Sequence, residues 1–149
     1  MIKLTQSRSC NARKSNKTSL FFRQLVAGHK YIFPHVKCVR VLDGDSAIVD
    51  IDLGFYIWMK GVRLRFARIN APELKIIKGI DERKRGQKAK TFLKNLIEGK
   101  PIIIETIKMP KDRQPHDSFG RYLVEVYDLD GNNINDLLVD KKLAVYKDY

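Results

Sequence analysis

The chain is 149 residues long (17.3 kDa), with 44% apolar and 31% charged residues, one domain's worth of ordinary globular composition. No apolar run approaches the roughly 20 residues that cross a bilayer, and two cysteines, Cys10 and Cys38, exclude a disulfide-built scaffold and lack metal-site spacing. The net charge of +12 is uneven: nine of the 29 Lys and Arg, and none of the 17 Asp and Glu, lie in residues 1–40, so the rest of the chain is close to balanced. Such a protein attracts polyanions without being a uniformly positive binder.

Residues 1–30 hold serines (Ser7, Ser9, Ser15, Ser19) among scattered bases and show no sustained periodicity. They are expected to be a disordered basic tail or a targeting segment, ahead of one domain over 31–149. Leu20-Phe21-Phe22, cut short by Arg23, falls below the apolar length of a secretory signal. A cytoplasmic location is therefore expected, with organelle import or export as alternatives.

From Tyr31 the pattern turns to strands. Val36, Cys38 and Arg40-Val41 form an extended segment after Pro34, and Asp43-Gly44-Asp45 makes a tight turn. Ala47, Val49, Ile51 and Leu53 then alternate with Ile48, Asp50 and Asp52, the period of a strand with one wet face. After a turn near Gly54, Val62, Leu64 and Phe66 share a face, with Arg63 and Arg65 on the other, and Pro72 ends the run. Over 82–98 the spacing becomes helical: Ala89, Phe92, Leu93, Leu96 and Ile97 make one apolar stripe opposite a basic face, and Gly99 is placed to cap the helix. Ile102-Ile103-Ile104 reads as a buried strand, Met109 to Ser118 as a polar loop, and Gly120 to Tyr127 as a further strand. A turn over Asp128–Asn132 leads to a short amphipathic helix from Asn133 to about Lys142. Three strands, a helix, two strands and a helix suit a β-barrel with helices (α+β), a five-stranded OB-fold with one helix after strand 3 and another at the carboxyl end. Periodicity alone also permits an open α+β sheet.

Three segments place charge at strand ends: Asp43-Gly44-Asp45-Ser46, the stretch Arg65 to Glu73, and Asp117-Ser118-Phe119-Gly120-Arg121. Singly, each reads as turn punctuation or a solvated face. Together they match what phosphodiester cleavage needs. Asp45, Asn70 and the carbonyl of Ala71 offer oxygens to a hard divalent cation. Arg65 and Arg121 can meet the charge of a pentavalent phosphorus, and Glu73, just past Pro72, can orient or deprotonate a water.

In this order, the DGDS turn, the RFARINAPE stretch, the basic helix, the DSFGR segment and the NINDLLVDKKLA helix resemble the staphylococcal nuclease, or thermonuclease, family from about Lys37 to Val145. The resemblance implies an OB-fold barrel, Ca²⁺ as cofactor, and hydrolysis of DNA and RNA. It implies Asp45, Asn70 and Ala71 as metal ligands with Asp43 assisting, Glu73 as general base, and Arg65 and Arg121 as phosphate clamps. Two departures matter. Asn70 stands where the family's best-known members carry Asp, so weaker Ca²⁺ binding rather than none is expected. Phe119 stands where a Tyr hydroxyl would contact phosphate, removing one polar contact.

Beyond the cleft, Tyr146 and Tyr149 could stack on bases, although packing or fraying at the chain end is the slightly favoured account of them. Lys75, Lys78 and the basic helix could draw backbone phosphates. The expected partners are single-stranded or open DNA and RNA, read without sequence specificity, with no membrane, no obligate protein partner and a monomeric state. Asp128 to Gly131 lacks the terminal Glu of an EF-hand and reads as a hairpin turn. His29, His35 and His116 are isolated, and Cys38 reads as a small core residue. The competing function is a nucleic-acid-binding OB module whose catalytic site has decayed, a reading that rests on Asn70.

Overall fold

Alternating apolar residues need a shared interior, and the strands obtain it by closing on themselves. The computed structural model describes residues 30–74, 80–107 and 117–147; the expectations for residues 1–29, Lys75, Lys78, His116 and Tyr149 lie outside them. Strands β1 (Ile32–Asp43), β2 (Ser46–Asp52), β3 (Trp58–Phe66), β5 (Pro101–Thr106) and β6 (Tyr122–Tyr127) form a closed barrel in the order β1-β2-β3-β6-β5. The pairings are antiparallel except β3 with β6, where Leu64, Arg65 and Phe66 run parallel to Tyr122, Leu123 and Val124. Val49, Leu64, Phe66, Ile102, Ile104 and Val126 fill the interior.

Helix α1 (Ile80–Ile97) sits between β4 (Ile69–Asn70) and β5, and its predicted stripe faces inward: Ala89, Leu93 and Ile97 are buried, with Phe92 and Leu96 packed at the margin. Gly99, at φ +75°, ends it in the left-handed region that glycine adopts without strain. Its N–H donates to the Cys38 carbonyl (2.8 Å), and Val41 N–H donates to the Glu98 carboxylate (2.9 Å), so the helix end is stitched to β1. Helix α2 (Ile134–Asp140) opens on Asn133, whose side chain accepts from Asp136 N–H, and buries Ile134 and Leu138.

Three local expectations change. A register irregularity between Cys38 and Arg40 leaves both Val39 and Arg40 exposed, so Arg40 departs from the alternation and Val41 resumes the inward face. Arg65 is only 6% exposed, because the segment following β3 folds over the outward face of that strand end. A two-stranded ladder of β4 with β7 (Val145–Tyr146) brings residues 145–146 back beside residues 69–70. Cys38 is fully buried; burial, then the nearby Glu98 charge, pushes its thiol pKa up to about 11, consistent with a packing residue.

Candidate active site

The tight turn between β1 and β2 is built by its own side chains. The Asp43 carboxylate accepts from the Asp45 N–H (3.2 Å) and from the Ser46 hydroxyl, which turns the chain sharply enough to aim Asp45 inward. Gly44 allows this approach: a Cβ there would lie 2.6 Å from the Ala71 Cβ and 2.7 Å from the Ala89 Cβ. One Asp45 carboxylate oxygen accepts from the Ala71 N–H at 2.6 Å, and the other forms an ion pair with Arg65. The turn, the end of β3 and the segment after β4 are thereby tied through a single buried carboxylate.

Arg65 spans the space between those segments. Its guanidinium donates to the Asn70 side-chain oxygen (2.9 Å) and to the Ile69 carbonyl (3.4 Å), in addition to its contact with Asp45. Glu73 is exposed at the lip, and its carboxylate makes no hydrogen bond or ion pair with the described residues. Its backbone is pressed against α1 at Gly86, where a Cβ would lie 2.6 Å from the Pro72 carbonyl oxygen and 3.0 Å from that of Glu73. Helix α1 therefore sets the height of Glu73 above the cleft.

Arg121 is held by Asp117, whose carboxylate takes the guanidinium at 2.6 and 2.8 Å and accepts the Arg121 and Phe119 N–H groups at 3.0 Å. Burial opposes the Asp117 charge, but the hydrogen bonds from the Arg121 side chain and from the two backbone N–H groups outweigh it and lower the pKa. Phe119 is exposed, with the Arg121 guanidinium 5.3 Å from its ring centre.

These groups share a cleft of about 490 Å³, lined by Asp43, Asp45, Arg65, Asn70, Ala71, Glu73 and Arg121 together with Ser46, Arg63 and Phe119. Seven of the residues expected from sequence are thus brought together. Tyr146 is not among them: it pairs with Ile69 across the small ladder, and its hydroxyl donates to Asp136 at 3.1 Å. That hydrogen bond, then burial, raises its pKa. The turn over Asp128–Asn132 is closed by the Asp128 carboxylate accepting backbone N–H groups, and it leads into α2 through an isolated bridge between Tyr127 and Asn133.

Sequence reasoning missed the support beneath the site. Arg68, at φ +61°, holds Glu125 through a bidentate pair (2.5 and 2.7 Å) and reaches Asp136 at 3.1 Å. Buried Asn135 donates to the Ala67 and Val124 carbonyls and accepts from Val126 N–H. These contacts clamp the bend between β3 and β4 onto β6 and α2, and so fix where Asn70 and Ala71 emerge. The Asn133 and Asn135 pair at the helix start was the signal available; for Arg68 there was none, since its partners lie 57 and 68 residues away.

For a divalent cation the donor set is right in kind. The side chains of Asp43, Asp45 and Asn70 supply oxygen, which suits a hard ion. Among the described residues, no group of three or more His, Cys, Asp and Glu is spaced to hold a metal by itself. The Asp45 and Asn70 oxygens also already accept from Arg65, so a cation bound there shares those oxygens with the guanidinium or displaces it.

Residues 63–149 match a family model described as staphylococcal nuclease homologue. Over 116 residues the chain is 34% identical to an "uncharacterized endonuclease" of Escherichia coli O157:H7, and equally to one of that name from Escherichia coli. The alignments cover 77% of this chain and 63% of each relative, so the chain spans under two thirds of the length of the curated relatives it matches. Arg65, Asn70, Ala71, Glu73, Arg121 and Tyr146 fall inside the family match, whereas the Asp43–Asp45 turn lies ahead of it. With more than half of its residues inside that match, the chain belongs to the staphylococcal nuclease homologue family.

Proposed function

We propose that the protein is a nuclease that hydrolyses phosphodiester bonds of single-stranded or open DNA and RNA with little sequence specificity. The observation that carries this reading is the convergence, in one cleft, of the Arg65 and Arg121 guanidiniums, the Asp43 and Asp45 turn carboxylates and the exposed Glu73 carboxylate from three separate segments. Family membership and the printed name of the relatives, endonuclease, support it. A pure binding module has no use for Glu73 at the lip of an arginine-lined cleft.

Arg121, presented by Asp117, and Arg65 contact the non-bridging phosphate oxygens and match the charge that grows as phosphorus becomes five-coordinate. Glu73 accepts a proton from the attacking water, and its exposure leaves it in reach of solvent at the cleft mouth. Asp45, Asn70 and the Ala71 carbonyl, with Asp43 nearby, would hold Ca²⁺. When bound, the cation supplies Lewis-acid stabilisation and orients water. Lys75, Lys78 and Tyr146 are assigned to the flanking strand. The protein acts as a monomer, and no described helix is long and apolar enough to cross a membrane.

The test is release of acid-soluble fragments from heat-denatured DNA under titrated Ca²⁺, with EDTA and Glu73→Gln as controls. Cleavage that needs both metal and Glu73 is expected, with Glu73→Gln slower by about 10²–10⁴-fold. The second reading, a binding module without cleavage, is favoured by the Arg65–Asn70 hydrogen bond, which occupies an oxygen a cation needs. Strand retention in EDTA with no cleavage at any Ca²⁺ concentration would select it.

A further inference from the structure

At the end of β2 remote from Asp45, the β2–β3 hairpin exposes a run of large apolar side chains. Phe55 is 94% exposed and Tyr56 is fully so, and Ile57, Trp58 and Met59 are exposed beside them. The turn is closed by the Ile57 N–H donating to the Gly54 carbonyl at 2.9 Å, which makes Phe55 and Tyr56 its two central residues. Both are left-handed, with φ of 53° and 61°, the backbone of the hairpin turn that normally selects Asn-Gly. Two aromatics hold strained positions without gaining burial, which is the pattern of side chains kept for contact with a partner.

The surface leading to this tip is cationic. The Lys60 ammonium lies 4.4 Å from the Trp58 ring centre. Along the outer face, Lys37 pairs across the strands with Asp50, Arg40 with Ile48, and Ile48 with Arg63; all three bases are exposed. The acids on this face are engaged: Asp50 accepts from Lys60 and the Gly61 N–H, and Asp52 accepts from the Gly54 N–H. Arg63 also lines the catalytic cleft, so the basic track runs from the cleft to the aromatic tip.

We propose that this face is a second, non-catalytic binding site for single-stranded nucleic acid. The sugar–phosphate backbone follows Arg63, Arg40 and Lys37, and bases stack on Phe55, Tyr56 and Trp58. Cations alone would suit any polyanion, and aromatics alone any apolar partner; a basic barrel face that ends in an aromatic tip fits phosphates and bases together. From Trp58 to Arg65 is seven residues of β3, about 23 Å. That reach belongs to a strand several nucleotides long, within the ~4–16 nucleotides a barrel of this kind covers. The proposal rests on the nuclease reading of the cleft for its orientation, since the strand held on the track is the flank of the one being cut.

The test is the double variant Phe55→Asn/Tyr56→Gly, which installs the residues the turn prefers and so preserves the hairpin. Fluorescence anisotropy with a labelled 20-nucleotide single strand in EDTA measures binding without turnover, so it stands apart from whether the cleft cuts. The variant should bind about tenfold more weakly with an unchanged or raised Tm. Lys37→Ala/Arg40→Ala should reduce the dependence of log K on log salt by roughly 0.7 for each phosphate those side chains neutralise. An unchanged Kd in the hairpin variant overturns the proposal. So does loss of binding to phosphatidylglycerol vesicles while the oligonucleotide Kd stays the same, which would make the tip a membrane contact.

Discussion

Replacing Gly86 by Ala sets two effects of opposite sign against each other. In a helix interior Ala is favoured over Gly by about 1 kcal/mol, so an unhindered exchange stabilises. Here the new Cβ meets the Pro72 carbonyl oxygen at 2.6 Å and the Glu73 carbonyl oxygen at 3.0 Å, and both are backbone atoms that cannot swing aside. The helix and the Pro72–Glu73 segment must separate by several tenths of an ångström, and forced packing of this kind costs about 1–3 kcal/mol. The net expectation is a loss of about 1 kcal/mol, or about 2–4 °C in Tm for a chain of this length. The functional effect is the larger one. Shifting Glu73 relative to the clamps spoils an alignment for which a displacement of ~1 Å can remove up to ~10²-fold in rate, so about a tenfold fall in kcat is expected. Urea unfolding and initial rates on denatured DNA measure the two effects separately. The difference between Gln87→Ala and Gln87→Gly, at the exposed neighbouring position, reports the helix-propensity gain of Ala over Gly without the clash. A Gly86→Ala protein that is more stable and cleaves at the native rate would refute the claim that α1 positions Glu73.

Arg65→Ala leaves Asp45 buried without its partner and should cost about 3–5 kcal/mol in urea unfolding, most of it recovered in the Asp45→Asn/Arg65→Ala double variant. Absence of that recovery would show that the two residues act independently. Because the folded-state pKa of Asp117 is lowered, its contribution to stability is present above its unfolded value, near 4, and is lost as pH falls through the folded one. Asp117→Asn should therefore flatten the acid limb of a Tm–pH profile, and it should raise KM by loosening Arg121; an unaltered acid limb would contradict the assignment. Asn70→Asp restores a carboxylate and should lower the half-saturating Ca²⁺ concentration by about an order of magnitude in the cleavage assay, where no change would remove residue 70 from the metal site.

The barrel was legible because its strands are two-sided. Val36 and Cys38, Ala47 to Ile51, and Val62 to Phe66 each alternate against polar neighbours, and only a closed or covered sheet makes use of that. The α1 stripe and the Gly99 cap were legible for the same local reason. What failed to show depends on partners far along the chain. Arg65 looked wet because its own strand places it on the outer face, and residues 69–71 are what cover it. Arg68 looked like a solvated base, and its partners lie 57 and 68 residues away. The β4–β7 ladder involves two residues a side, too few for any period to register. At the hairpin tip the turn near Gly54 was legible but the exposure of Phe55 to Met59 was not, because it follows from a bend at Phe55 and Tyr56 with φ values those residue types disfavour. The cleft residues were legible as charge at three strand ends and through the family resemblance, while Gly86 and Glu125, which hold the segments in place, drew no notice because their partners lie elsewhere in the chain.

Asn70 has a different meaning in the folded chain from the one its identity suggests. As a ligand of the proposed cation it would be a deficit, one carboxylate fewer beside the charge. As a neighbour of Arg65 it completes a balance: one buried carboxylate, Asp45, meets one buried guanidinium, and the Asn70 oxygen accepts a further guanidinium N–H without adding charge. An Asp in its place would set two carboxylates against a single Arg in a poorly solvated site, an arrangement that is costly until a cation arrives to share it. In the proposed cation site the amide would therefore lower both the affinity for metal and the cost of standing without one, through the same atom. Both follow from Coulomb's law acting on a residue 5 positions from its arginine.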